Sequence, residues 1–259
     1  MKFLQYLTEG RTQRIPEPTA IRLIKTHCKK NYKYLFEDSR RKIYRGVHES
    51  IVFGYIDTNK GRERVSANTL NYTTLLMDNL PSWNGWPKRS RSVICSTSWS
   101  NSDSYGNLYH VIPYDNSKIG ICSEYDVWDS FTHLRYGVNS FNTLFEKLFL
   151  AYKINTNDKN WNTFVKSLQE LQSKFNPDTL PKDEEYYFEK YESIIDILFN
   201  GKNIIINLDN MLDPEFNNFK MGIKNLNEER EVFIQGECIL ISEDKHSLDS
   251  IKKLMVTYD

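Results

Sequence analysis

Between Thr19 and Ser39 the apolar residues Ile21, Ile24, Cys28, Tyr32 and Leu35 recur at the spacing that gathers side chains on one helix face, and Thr19 can cap the start. The texture then changes. Residues 42–47, 50–56, 92–97, 107–112 and 118–122 are short, β-branched or aromatic stretches separated by Gly, Asn, Asp and Pro, which predicts strands. Among them, residues 66–79 carry Leu70, Thr73, Thr74 and Met77 at helical spacing, and 81–87 read as a loop. From about 139 to 200 the pattern is helical throughout. Phe141, Leu144, Phe145, Leu148 and Phe149 form one stripe, Trp161, Phe164, Val165, Leu168 and Leu171 a second, and Tyr187, Tyr191, Ile194, Ile195 and Leu198 a third. Strands are expected again at 203–208, 230–235 and 238–242, before a closing helix at 247–255. No internal repeat is present. A strand-rich body with a helical block in its middle reads as α+β.

Composition narrows the class. The 259 residues suffice for a substantial core, and 39% hydrophobic with 14% aromatic residues indicate a folded chain. Lys+Arg and Asp+Glu are both 34, so there is no bulk charge to drive binding to nucleic acid or to an anionic membrane. Cys28, Cys95, Cys122 and Cys238 are far apart without metal-ligand spacing; they read as reduced thiols, and no metal is expected. No apolar run reaches the ~18 residues that suggest a membrane span. The start has no secretory hydrophobic region, so a reducing, cytoplasmic destination is expected.

Three stretches carry candidate chemistry. Arg45, in Tyr44-Arg45-Gly46, has a guanidinium fork suited to phosphate, and Gly46 lets backbone approach a ligand. Ser96-Thr97-Ser98 ends a strand and is followed by Tyr105-Gly106, with Trp99 as a second candidate ring for stacking. Glu229-Arg230-Glu231 runs into Val232-Phe233-Ile234; two carboxylates two apart in a strand face one side. Gln235-Gly236-Glu237 spells a competing register of the same kind.

In this order the stretches resemble the arginine, Ser-Thr-Ser and Glu-x-Glu signature of toxin-like mono-ADP-ribosyltransferases, over about residues 42–241. The resemblance implies two packed antiparallel β-sheets with flanking helices, and NAD as co-substrate. It implies that Arg45 holds the diphosphate and that the backbone at Gly46 meets the nicotinamide amide. Ser96, Thr97 and Ser98 would frame the nicotinamide ribose, Ser96 bracing the catalytic glutamate, and Tyr105 would stack on nicotinamide. Glu231 would stabilise the ribose cation and Glu229 would meet the acceptor. The segment Leu212–Phe219 stands where the family has its substrate-recognition turn, with Phe216 or Phe219 for the acceptor. About 130 residues separate Ser98 from Glu229, so the block at 139–200 reads as an insertion.

Two-glutamate relatives usually modify arginine, so a host protein arginine is the favoured acceptor. Nucleic acid is the alternative acceptor, favoured only by Lys88-Arg89-Ser90-Arg91. No membrane partner is expected. The start, with Leu7-Thr8-Glu9 before Gly10, resembles the head-targeting peptides of internal capsid proteins in large tailed phages. This implies a removable segment 1–9, a single transferase domain at 10–259, and a virion interior followed by host cytoplasm as location. A catalytically inactive head protein and a toxin of a toxin–antitoxin pair are the rival readings.

Overall fold

Among the described residues of the computed structural model, nine strands, all paired antiparallel, form the β part. The structure describes residues 12–38, 41–60, 63–65, 70–132, 134, 137–179, 185–201, 203–227, 229–244, 248–249 and 253. Leu7-Thr8-Glu9, Glu228 and most of the closing helix expected at 247–255 lie outside the described residues. In chain order the strands are β1 (Gln13–Arg14), β2 (Tyr44–Val47), β3 (Phe53–Asp57), β4 (Val93–Ser96), β5 (Asn107–Pro113), β6 (Lys118–Ile121), β7 (Lys220–Met221), β8 (Glu231–Gln235) and β9 (Glu237–Ser242). Their neighbour order is β1-β3-β9-β5-β2-β4-β8-β6-β7. The fold class is α+β.

The chain divides into two compact units. All nine strands belong to one of them, together with α1 (Glu17–His27), α2 (Lys29–Lys33) and α4 (Trp99–Asp103). Helix α1 starts earlier than Thr19: Pro16 takes the N-cap position in extended conformation, with Glu17 in the first turn. Proline supplies a helix-compatible start because the first N–H groups have no intrahelical partner. The Asp115 carboxylate accepts the backbone N–H of Lys30 (3.2 Å) and Asn31 (3.0 Å), fixing α2 to the turn after β5. Ala20, Ile24 and Cys28 pack into one apolar core with Val111 of β5, Val232 of β8 and Ile239 of β9.

β8 and β9 are joined through Gly236 alone, yet β4, β2 and β5 stand between them in the order. Four strand spacings in a flat sheet would separate them by about 19 Å, whereas two residue steps of chain reach about 7 Å. The run of strands therefore curls back on itself. The turn between β5 and β6 fastens to the same corner: Ser117 Oγ donates to Glu237 O (2.8 Å) and accepts from Glu237 N (3.1 Å). Gly236 has φ 130° and leaves no room beside Ser117, 2.6 Å from where a Cβ would put it, so this corner requires glycine.

The other unit comprises Val65–Gly85 and Val127–Asn218, a wider region than the helical block at 139–200. It contains α3 (Tyr72–Asn79), α5 (Gly137–Ala151), α6 (Trp161–Lys174), α7 (Glu185–Lys190), α8 (Glu192–Phe199) and α9 (Ile204–Met211). The α5 stripe of Phe141, Leu144, Phe145, Leu148 and Phe149 is buried as its period predicts, and Tyr72 stacks on Phe164 at 4.9 Å. The strand expected at 203–208 is instead α9. Its buried residues Ile204, Asn207, Leu208 and Met211 follow the helical repeat, and the Asn203 side chain caps it by accepting Ile205 N. The run Ile204-Ile205-Ile206 raised the β expectation, but packing on one face decided the outcome.

Candidate active site

Ser96 and Glu231 are direct partners across β4 and β8, and Tyr44 of β2 is the partner of Ser96 on the other side. His110 of β5 pairs in turn with Tyr44, their rings 5.0 Å apart. Paired residues share a sheet face, so His110, Tyr44, Ser96 and Glu231 form one row across four strands. It lies opposite the face by which Val93 and Cys95 of β4, and Val232 and Ile234 of β8, enter the apolar core.

The Ser-Thr-Ser segment fastens the glutamate strand, though not through the expected hydroxyl. Ser96 Oγ accepts the N–H of Ser98 (3.0 Å), turning the chain out of β4. Thr97 makes the cross-strand bonds: its Oγ1 accepts Arg230 N (2.8 Å) and its N–H donates to Arg230 O (2.9 Å). Ser96 thus braces Glu231 by register, and Thr97 holds the residue before it.

The carboxylate itself is held by Arg89, a member of the basic run Lys88-Arg89-Ser90-Arg91. Arg89 lies in a short 3₁₀ turn, Arg89–Arg91, leading into β4; it is buried, and its Nη1 donates to Glu231 Oε1. Burial pulls the Arg89 pKa down, but the Glu231 charge and hydrogen bond, with Cys122 and Asp126 nearby, more than offset this and leave it raised. Cys122 Sγ lies 3.7 Å from the same Oε1. Glu231 Oε2 has no hydrogen bond among the described residues, and the side chain remains 10% exposed. Arg91 pairs with Glu63 at 2.8 Å, both side chains half-exposed, so two of the three cations of the run have carboxylate partners within the protein.

Gly46 shares the face of Tyr44, and a Cβ there would come within 2.2 Å of Ser102 O and 2.8 Å of Tyr105 Cβ. The loop carrying α4 therefore lies directly on that face of β2. The expected approach at Gly46 is made by this loop, which fills the side-chain space. Gly106, with φ 128°, turns the chain from the loop into β5. Trp99 and Tyr105 expose both rings at 60%.

Arg45 and Glu229 both stand apart from the Ser96–Glu231 row. Arg45 follows Tyr44 in β2, and neighbouring strand residues alternate sides, so it faces away from the Ser96–Glu231 row. Its Nη1 donates to Ile94 O, in the gap where β2 and β4 part after the pair Tyr44–Ser96. Glu229 lies outside the strand: β8 begins at Glu231, and Glu229 occupies an exposed turn with φ 53°. It precedes Glu231 at the rim without sharing its strand face.

The competing register is likewise divided between two strands. Gln235 ends β8 and Glu237 begins β9, between β3 and β5, where Tyr55 donates its hydroxyl to Glu237 Oε1. Phe219 is buried edge-on against Trp86, a packing role, and Phe216 is 55% exposed. The four cysteines are buried thiols outside any disulfide; among the described residues no His, Cys, Asp and Glu cluster could hold a metal ion, and no helix is long and apolar enough to cross a membrane. No protein-family model, curated protein or solved structure matches the chain.

Proposed function

We propose that this protein is a mono-ADP-ribosyltransferase that cleaves NAD at the nicotinamide bond and passes ADP-ribose to a protein arginine. The observation that carries the reading is the pairing of Ser96 with Glu231 on adjacent strands, with the Arg45 strand on the other side of Ser96. On this reading the curled strand run is two packed sheets that meet at the pair Tyr44–Ser96.

The chemistry needs little beyond a fixed carboxylate. When the bond between ribose C1′ and the nicotinamide nitrogen breaks, its electron pair goes to nicotinamide, which leaves neutral. The ribose is left as an oxocarbenium-like cation, the kind of charge that carboxylates stabilise in glycoside chemistry. Glu231 is in that position, with one oxygen held and the other open to a ribose hydroxyl. Tyr105 and Trp99 offer faces for the nicotinamide ring. The acceptor guanidinium is protonated at neutral pH; Glu229, exposed at the rim, orients it and draws off its proton as nitrogen bonds to C1′. Arg45 braces β2 against β4 in this arrangement.

A second reading, an inactive protein retaining this architecture, is favoured by one observation: Arg89 already neutralises the Glu231 charge. A nucleic-acid acceptor has less behind it, since Arg89 and Arg91 are both engaged by carboxylates. One assay separates all three. The protein is incubated with labelled NAD and a bacterial lysate, nicotinamide is measured, and the labelled polymer is digested with protease or nuclease. Release of nicotinamide with protease-sensitive label is expected. Nuclease-sensitive label moves the acceptor to nucleic acid, and absence of both release and label removes the enzyme reading.

A further inference from the structure

Most carboxylates of the strand unit are solvated, but Glu231 is buried and is gripped through one oxygen only. Arg89 Nη1 and Cys122 Sγ both meet Oε1, while Oε2 accepts nothing among the described residues. Arg89 is itself 7% exposed. Its place is set by a 3₁₀ turn tied on both sides: Lys88 N donates to the Gln235 side chain (2.8 Å), and Ser92 Oγ donates to Lys88 O (2.7 Å). Gln235 is the last residue of β8, the strand that begins with Glu231, so one strand fixes both members of the pair.

From this geometry we propose that Arg89 is the positioning residue of the site: it fixes Glu231 through Oε1 and thereby turns Oε2 toward the nicotinamide ribose. This rests on the transferase reading. Being buried, Arg89 acts through the carboxylate without touching the substrate. A guanidinium suits the task because its planar fork defines a direction, which the point charge of lysine does not. The cost of losing that direction is one of rate, since misplacing a reacting group by about 1 Å can cost about a hundredfold.

The test measures nicotinamide release by the full-length protein and by Arg89→Lys, Arg89→Met, Glu231→Gln and the double variant Arg89→Met/Glu231→Gln, each checked for folding by circular dichroism. Arg89→Lys keeps the buried charge and should fold; its kcat should fall by about ten- to a hundredfold with KM for NAD unchanged. The double variant should be no slower than Glu231→Gln alone, because a residue acting only through that carboxylate has nothing left to position. A raised KM with kcat intact in Arg89→Lys would show that Arg89 contacts substrate and overturn the proposal. So would multiplying losses in the double variant, or an Arg89→Lys protein indistinguishable from the parent. If the parent protein releases no nicotinamide, the transferase reading fails first and the positioning role falls with it.

Discussion

Thr97 clamps Arg230 on both sides of its Cα, accepting its N–H at the side chain and donating to its carbonyl from the main chain. Two segments far apart in sequence are thereby locked together one residue beyond the pair Ser96–Glu231. The start of β8 is held by ladder bonds and a side-chain bond at once, so the carboxylate at its head has a fixed origin. Preorganisation of this kind distinguishes a carboxylate that can stabilise a transient cation from one that merely lies nearby.

Glu231→Gln keeps the shape but removes the charge, and nicotinamide release should fall about a hundred- to a thousandfold. The thermal midpoint should fall too, because buried Arg89 loses its counter-charge. Glu237→Gln, on β9 beside Tyr55, should leave turnover close to that of the parent. Steady-state kinetics on the two proteins decide the matter: collapse in Glu237→Gln with survival in Glu231→Gln would reverse the assignment.

Gly46→Ala tests the loop on β2. The obstacle at 2.2 Å is a backbone oxygen, Ser102 O, so no side chain can swing away to admit the new methyl. Overpacking of this kind costs about 1–3 kcal/mol. Urea unfolding should show that loss, with a raised KM for NAD as the loop bearing Trp99 and Tyr105 shifts. Unchanged stability would mean that the loop does not rest on Gly46.

The sheet elements around the site were legible in the sequence because alternation and turn residues agreed locally; β2, β4, β5, β6, β8 and β9 all lie where the pattern predicts strands. The α5 stripe was legible for the same reason. Ile204-Ile205-Ile206 misled because β-branched residues favour strands locally, while burial of Ile204 with Asn207 and Leu208 is a tertiary fact. At the site, the residue types gave Ser96 and Glu231, and register brings them together. The partner of Glu231 was hidden, since Arg89 lies 142 residues away in a basic run that pointed only to a nucleic-acid acceptor. The side toward which Arg45 points depends on which residue of β2 pairs with Ser96, and no spacing in the sequence encodes that. Glu229 escaped because strand alternation ends two residues short of it, where the backbone turns at φ 53°.

Alkaline stability should report the buried phenols. Burial first, then the charge of Glu37, pushes Tyr32 up to about 12; burial also takes Tyr72 to about 12, with the neighbouring Thr156 opposing the rise and the Asp158 and Glu146 charges adding to it. Both folded values exceed the unfolded value of about 10. Their contribution is therefore complete below about pH 10 and is lost as pH rises through about 12. Phenolate absorbance and urea midpoints measured across this range should show a group of tyrosines ionising late, with stability declining over the same interval. If all 16 tyrosines ionise near the ordinary value while the protein stays folded, the packing around Tyr32 and Tyr72 is wrong.

On the transferase reading, substitution of Glu229 should separate cleavage from transfer. It is exposed, in a turn with positive φ, and sits two residues before a glutamate whose own carboxylate is engaged inside the protein. A group so placed is open to a macromolecular acceptor and is not part of the Arg89–Glu231 pair. Glu229→Gln should therefore lose labelling of protein arginine, because nothing then draws the proton from the guanidinium, while hydrolysis of NAD by water largely survives. Substitution at an exposed site should move stability by no more than about 0.5 kcal/mol, so the loss cannot be charged to unfolding. Glu229→Gly serves as a companion: it removes the carboxylate and also relieves the left-handed backbone, so it should label as poorly as Glu229→Gln while being at least as stable. The measurement is a ratio, labelled protein to free nicotinamide, taken for each protein under one set of conditions. A ratio that stays constant as both activities fall together would assign Glu229 to NAD cleavage and leave the acceptor without a base.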